Sequence, residues 1–424
     1  MQRGTVNIQM FTRTKTFIEN NFHSLYHKDY RFFFFGQLIS VTGTWIQVMA
    51  QAWLVYTITN SPLKLGIVSA VQFLPVLVFS LFAGVLIDKA PKKKLVIATQ
   101  IMSMLQAFTL FFLVHFGAVQ YWHVLLLAFI LGCTNSIDMP ARQSYVIELV
   151  GRKDVANAVG LNSTVFNLAR IVGPAIAGIL MTGIGIEWCF LLNALSFIAV
   201  IIGLLFITHE GYPISTAKKE SIIHEIRDGL LYIRRTPILL KTVLIIFFVS
   251  VIGFNNNVLI PVFAKNILGL REKGFGILLS SFGAGSVIGA LTTAIRANKG
   301  MIKTKFLIMS SLFLGAALFA MGFAPNIYVA SVLIALCGVF GIWFFSMANS
   351  MLQLNTEDRY RGRVMSVYAM VFAGSTPVGS FMAGFLAEHI GVDKTFILAG
   401  VIIVIVITAL QTVRFTRRHK RSLC

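Results

Sequence analysis

"FAGVLIDKAPKKK", residues 82–94, separates two long apolar runs with one carboxylate, Asp88, and four cations, Lys89, Lys92, Lys93 and Lys94. Of the 424 residues, 57% are hydrophobic and only 12% are charged, where a soluble domain carries roughly 25% charged residues. No water-soluble fold hides that much apolar surface, so the solvent is largely lipid. The net charge of +20 would point to nucleic acid if it formed one patch. It does not: the basic residues recur in short clusters between apolar runs, which excludes that partner. Cys133, Cys189, Cys337 and Cys424 form no CxxC pair, so neither zinc nor a disulfide framework is indicated. Residues 1–30 are basic and polar, without a signal-peptide core, and read as a cytoplasmic leader.

A membrane helix needs about 20 apolar residues. Twelve runs qualify: 31–57, 63–87, 95–116, 122–143, 155–182, 187–208, 238–264, 274–295, 304–323, 327–350, 363–388 and 393–414. Counting Lys and Arg near their ends, one side of the membrane collects thirty and the other five. The positive-inside rule then makes both termini cytoplasmic, and "DKAPKKK" becomes a cytoplasmic turn between spans two and three. That explains the lysines but not Asp88.

Six spans (31–208) precede the longest polar loop (209–237) and six (238–414) follow it, ahead of a basic tail (415–424). Within the loop, Ile222, Ile226, Leu230 and Ile233 recur at helical spacing, the mark of an amphipathic helix lying on the inner membrane surface. The halves look repeated at an offset near 206: "LYHK" at Leu25 matches "LYIR" at Leu231, Gly132 matches Gly338, and Gly173 and Gly178 match Gly379 and Gly384. The expected fold is all-α, two pseudo-symmetric six-helix bundles joined by a surface loop, the layout of a rocking transporter.

Polar residues inside the spans are the candidate site. Gln37, Ser40, Thr44, Gln47 and Gln51 share one face of span one. That face either bonds neighbouring helices or, the favoured reading, lines a water-filled path. Span five repeats the pattern with Gly160, Ser163, Asn167, Arg170 and Pro174. Arg170 lies near the bilayer centre, which makes it a functional candidate against a structural pair. "NNN", 255–257, must cap or break span seven locally, because three consecutive residues cannot share a face. Asp138 is the deepest carboxylate and is either a protonation site or the partner of Arg142. Glu187, Glu388 and Asp393 read as interfacial residues at outer span ends. No His, Glu or Cys cluster suggests a metal centre or a membrane enzyme.

These residues carry a resemblance to the major facilitator superfamily. Its loop signature between helices two and three, G-x-x-x-D-[RK]-x-G-[RK]-[RK], is similar to Gly84, Asp88, Lys89, Pro91, Lys92, Lys93, with proline at the second glycine. The resemblance implies that Asp88 latches the cytoplasmic side in the outward-open state. The exporter motif of helix five resembles Gly160, Ala169, Gly173, Pro174, Ala177 and Gly178, two glycines having become alanine. "DMPARQSYVIELV", "NAVGLNSTVFNLARIVGPAIAG" and "RGRVMSVYAMV" resemble the branch holding enterobactin and macrolide exporters, over about Leu25 to Phe415. The resemblance implies a monomeric bacterial inner-membrane exporter of a small amphipathic compound, driven by proton entry and needing no cofactor. Cavity-lining helices one, four, seven and ten would place Gln47, Gln51, Asn135, Asn256 and Trp343 against substrate, with Asp138 as coupling carboxylate. The rivals are a lysophospholipid transporter of the same fold, a transporter-like sensor and a membrane enzyme.

Overall fold

A computed structural model describes residues 23–211, 222–297 and 304–412; side chains 80–86, 88, 89, 222–226, 296–297 and 412 lie outside that description. The first spanning helix, α1 (Lys28–Thr59), stops at Asn60, which takes the left-handed conformation at φ 50° and donates its N–H back to Tyr56. Then come α2 (Pro62–Lys89), α3 (Lys92–His115), α4 (Tyr121–Gly183) and α5 (Glu187–Leu205). A short linker helix, α6 (Ile222–Arg235), leads to α7 (Pro237–Gly253), α8 (Asn256–Asn266), α9 (Glu272–Ala297), α10 (Thr304–Met321), α11 (Ile327–Leu354), α12 (Asp358–Ile390) and α13 (Val392–Thr412).

Among the described residues, eleven helical stretches are long and apolar enough to cross a bilayer, with α7 and α8 counted together. One of them, α4, has 63 residues. At 1.5 Å per residue a straight helix of that length would span about 95 Å, three times the hydrocarbon thickness. Gly151, at φ 72° and ψ 168°, turns it back on itself. Both arms then end on the same side, where the Tyr121 hydroxyl donates to the Lys64 carbonyl and Gly178 packs on Gly276. Spans four and five are thus one element folded at a glycine, and the crossings number twelve. A Cβ at Gly151 would meet nothing within 4 Å, so the requirement is purely conformational. Gly151→Ala and Gly151→Val should each cost about 1–3 kcal/mol. A melting series in which the loss grows steeply with side-chain size would instead point to packing.

The break expected at "NNN" falls at Phe254–Asn255, between α7 and α8. The Asn255 amide donates to the Val251 carbonyl at 2.7 Å, covering a carbonyl that the helix break orphans.

The repeat at offset 206 is structural, because each matched glycine pair makes the same contact. Distances from an ideal Cβ built at each glycine give the closeness. Gly132 presses on the Gln72 carbonyl of α2 at 2.2 Å, and Gly338 on the Phe282 carbonyl of α9 at 2.4 Å. Gly173 of α4 abuts Trp45 of α1, and Gly379 of α12 abuts Val251 of α7. Gly178 meets Gly276 of α9, and Gly384 meets Gly66 of α2. The last two contacts join the halves. Small residues let these backbones approach, which is how helices bind one another in lipid.

The linker helix departs from expectation. It docks on the end of α12: Ile233 is buried, Asp228 pairs with Arg363 at 2.8 Å, and Tyr232 stacks on Tyr360 with centroids 4.3 Å apart. Leu230 stays exposed. The side chains of Ile222 and Ile226 lie outside the described residues. Below, the linker end is the end of the bundle that carries α6, and the far end is its opposite.

Candidate functional site

The halves are tied together at the far end. The Trp53 indole donates to Glu272 at 3.1 Å and the Tyr56 hydroxyl to Asn266 at 2.7 Å. Lys265 donates to Asn60 at 3.3 Å. Glu388, expected as an interfacial acid at an outer span end, accepts from the Ser61 hydroxyl at 2.6 Å and from the Leu63 N–H at 3.0 Å. It therefore caps the first turn of α2 from the opposite half.

Toward the linker end one face of α4 passes from contact to open space. Gly160 and Gly178 are 18 residues apart, five whole turns, and so share one face of α4. At Gly178 that face touches α9, with Gly276 Cα 3.4 Å from the ideal Cβ, whereas at Gly160 nothing lies within 4 Å. Between these two positions the Arg170 carbonyl lies 2.6 Å from an ideal Cβ on Gly283 of α9.

Arg170 marks that point. Its guanidinium lies 4.5 Å from the Phe282 ring of α9 and 5.7 Å from the Trp45 ring of α1. Its Nε is closed to solvent and has no hydrogen-bond partner. Sequence reasoning named Arg170 but missed both aromatics, which come from helices far away in the chain.

The polar face of span one is differently placed from the water-lined path expected of it. Gln37, Ser40, Gln47 and Gln51 are buried; Thr44 is exposed and bonds back to the Ser40 carbonyl. Gln47 donates to Gln106 of α3 at 2.9 Å and accepts from Asn193 of α5 at 2.7 Å. Its amide works inside the N-terminal half. Gln51 donates to Gln72 of α2 at 3.0 Å. Those two and Asn257 of α8 line a cavity of about 50 Å³ across the two halves. Asn256 is buried in the first turn of α8 and Asn135 half-buried in α4. The Trp343 indole donates to Thr292 at 2.7 Å and packs on Phe306, inside the C-terminal half. Of the five substrate candidates, then, only Gln51 lines this cavity, together with Asn257, the neighbour of Asn256.

A larger groove of about 410 Å³ follows the α4–α9 seam past Ile171, Gly178, Gly276 and Ser280. Its walls are mostly hydrocarbon and it opens on the surface beside exposed Ile179 and Ile277. It is a groove on the outer surface of the bundle.

Asp138 is buried and saturated with donors. Thr99 reaches it at 2.7 Å, Gln100 at 2.9 Å and Arg142 Nε at 2.8 Å, with a second Arg142 nitrogen on the same oxygen. Lys92 is buried against Glu148 at 2.5 Å, and Lys93 reaches Glu210 at 3.2 Å. Glu148 and Glu210 were not foreseen; only their place at the ends of spans four and six, facing a lysine-rich turn, could have signalled them. Gly84, Asp88 and Lys89 lie in α2 with side chains outside the described residues, so the latch implied for Asp88 falls there too. In the exporter motif Gly173 and Pro174 are buried in the α4 packing, and the Pro174 carbonyl lies 2.9 Å from an ideal Cβ on Gly276.

Comparison with known proteins joins this geometry to a family. The family model described as "Transmembrane secretion effector" matches residues 20–423. The chain is 28% identical over 375 residues to the staphyloferrin A transporter of Staphylococcus aureus, covering 88% of this chain and 92% of that one. It is 27% identical to the multidrug efflux pump Tap of Mycolicibacterium fortuitum, over 86% and 90% of the two chains. Macrolide efflux protein A of Streptococcus pyogenes is 23% identical, over 87% and 92%. Among solved structures, nucleoside transporter NupG superposes with a TM-score of 0.69 at 12% identity, over 90% of this chain and 97% of that one. A bacterial homologue of the lysosomal transporter Spinster, inward-facing and unoccupied, gives 0.70 at 14%, over 92% and 96%. The chain belongs to the transmembrane secretion effector family of the major facilitator superfamily and is a multi-pass membrane transporter, not an enzyme.

Proposed function

We propose that the chain exports a small amphipathic compound across a bacterial inner membrane, by alternating access of its two halves and in exchange for protons. The observation that carries the reading is the one-sided seam: helix faces that touch at Gly178 and Gly276 stand open at Gly160. Alternating access requires a bundle that closes at one end while open at the other. The linker end carries the basic clusters, so it is assigned to the cytoplasm with both termini, and the shape is then inward-facing. Relatives named for siderophore, drug and macrolide transport support the export direction. Proton entry would supply about 2.3 kcal/mol per 100 mV of membrane potential. The chain works as a monomer in this reading, with the bilayer and the substrate as its partners and no cofactor.

The test uses inside-out vesicles holding the purified protein, with an acid interior, and follows internal pH as macrolides, lipophilic cations and siderophores are added. At least one class is expected to drain the gradient. If none does while labelled lysophospholipid moves, the chain is a lipid transporter.

A further inference from the structure

Among the described residues, Arg170 lies near the middle of its span without a carboxylate partner. No carboxylate among the described residues pairs with Arg170, and its Nε is both buried and unbonded. A guanidinium carries five N–H donors and no acceptor. Two ring faces, Phe282 and Trp45, offset part of its desolvation but satisfy none of those donors. The residue as a whole is half-buried, but a shielded donor without a partner is costly. A structural arginine would meet an acid or a fan of carbonyls, as Arg142 meets Asp138 in the other arm of α4. Arg170 meets neither.

Its position adds direction. Gly173 turns toward α1 and Gly178 toward α9; Arg170 touches side chains of both. It thus sits in the angle between α1, α4 and α9, where the two halves meet. On the linker side of this point Ser163 and Thr164 are exposed and Gly160 faces open space. A solute entering from the open end would reach Arg170 where the seam closes.

We propose that Arg170 is the anion-binding residue of the transport site and that the exported compound is an organic carboxylate, its charged end paired with the guanidinium and its apolar body laid against Trp45 and Phe282. The planar fork of arginine suits the two oxygens of a carboxylate. The two rings suit an aromatic or aliphatic body. This inference rests on the export reading for the word "exported" and on the geometry alone for the site.

Binding is therefore tested apart from transport. The full-length protein in detergent is titrated with 2-naphthoate, 2,3-dihydroxybenzoate and citrate, and with the amide of each, following tryptophan fluorescence and melting temperature. At least one carboxylate is expected to bind, with its amide about 30-fold weaker or worse, the usual cost of leaving a buried charge unpaired. Arg170→Gln should abolish that preference, and Arg170→Lys should keep part of it. Without ligand, Arg170→Gln should melt no lower than wild type, because it removes an uncompensated charge. A structural arginine would give a clear loss. Equal binding of acid and amide, unchanged acid binding by Arg170→Gln, or lysophosphatidylglycerol binding where no carboxylate does overturns the proposal. Carboxylate binding without any flux would sink the export reading and leave the site standing.

Discussion

Gly66→Leu should leave a folded protein that can no longer close its far end. An ideal Cβ at Gly66 falls 2.4 Å from the Ser380 carbonyl oxygen and 3.1 Å from Gly384 Cα. Both are backbone atoms inside the last third of α12, so no rotamer change relieves the clash. Overpacking of this kind costs about 1–3 kcal/mol where neighbours can shift, and more where they are helix backbone. The protein has a cheaper escape than unfolding, which is to separate the halves at this seam and occupy the conformer closed at the linker end. Each 1.4 kcal/mol moves that equilibrium about tenfold. Gly66→Leu alone should cut transport about tenfold or more, and combined with Gly276→Leu on the other seam about a hundredfold. The melting temperature should change little. Spin labels near the far ends of α2 and α12 should report a longer distance than in wild type. An unchanged distance with normal flux would mean that the glycine seam is not a gate. Replacing Glu388 by Gln is a weaker intervention, since exposed charged contacts contribute only about 0–1 kcal/mol.

Much of this architecture is legible in the sequence, because a bilayer imposes length and polarity on each span. The runs of apolar residues, the clustering of basic residues and the break at Asn255–Asn257 follow from that physics alone. The glycines at offset 206 could also be read, since close helix approach demands small residues wherever the repeat recurs. Hidden from the sequence was what each polar side chain meets. The 3,4 spacing from Gln37 to Gln51 tells which residues share a face. Whether that face meets water or amides depends on Gln72, Gln106 and Asn193, which sit on three other helices. Arg170 was visible as an anomaly, yet its aromatic flank comes from α1 and α9. The fold at Gly151 was readable as a turn and not as a single helix bent at one residue. Local sequence fixes spacing and cost, and tertiary packing decides partners.

Asp138→Asn should destabilise the N-terminal half. The carboxylate holds Arg142 through two nitrogens and also accepts from Gln100 and Thr99. Asparagine would keep one acceptor oxygen but aim an NH2 group at a donor. Breaking a buried ion pair by removing one partner costs about 3–5 kcal/mol. Arg142 is 20% exposed and lies near the linker end, so it can extend toward water, and a loss of about 2–3 kcal/mol is the better expectation. Asp138→Asn with Arg142→Gln removes both charges and should recover most of that stability, with a coupling energy well above the few tenths expected of independent sites. Transport separates a structural from a coupling role. A structural Asp138 predicts that the double variant regains flux along with stability. A proton-carrying Asp138 predicts that it regains stability but moves substrate only down its own gradient, whatever the pH difference imposed. The direct pairing of Asp138 with Arg142 on the same helix favours the structural role, so recovery of proton-driven flux is the expected result. Its failure in a stable double variant would make Asp138 the coupling site.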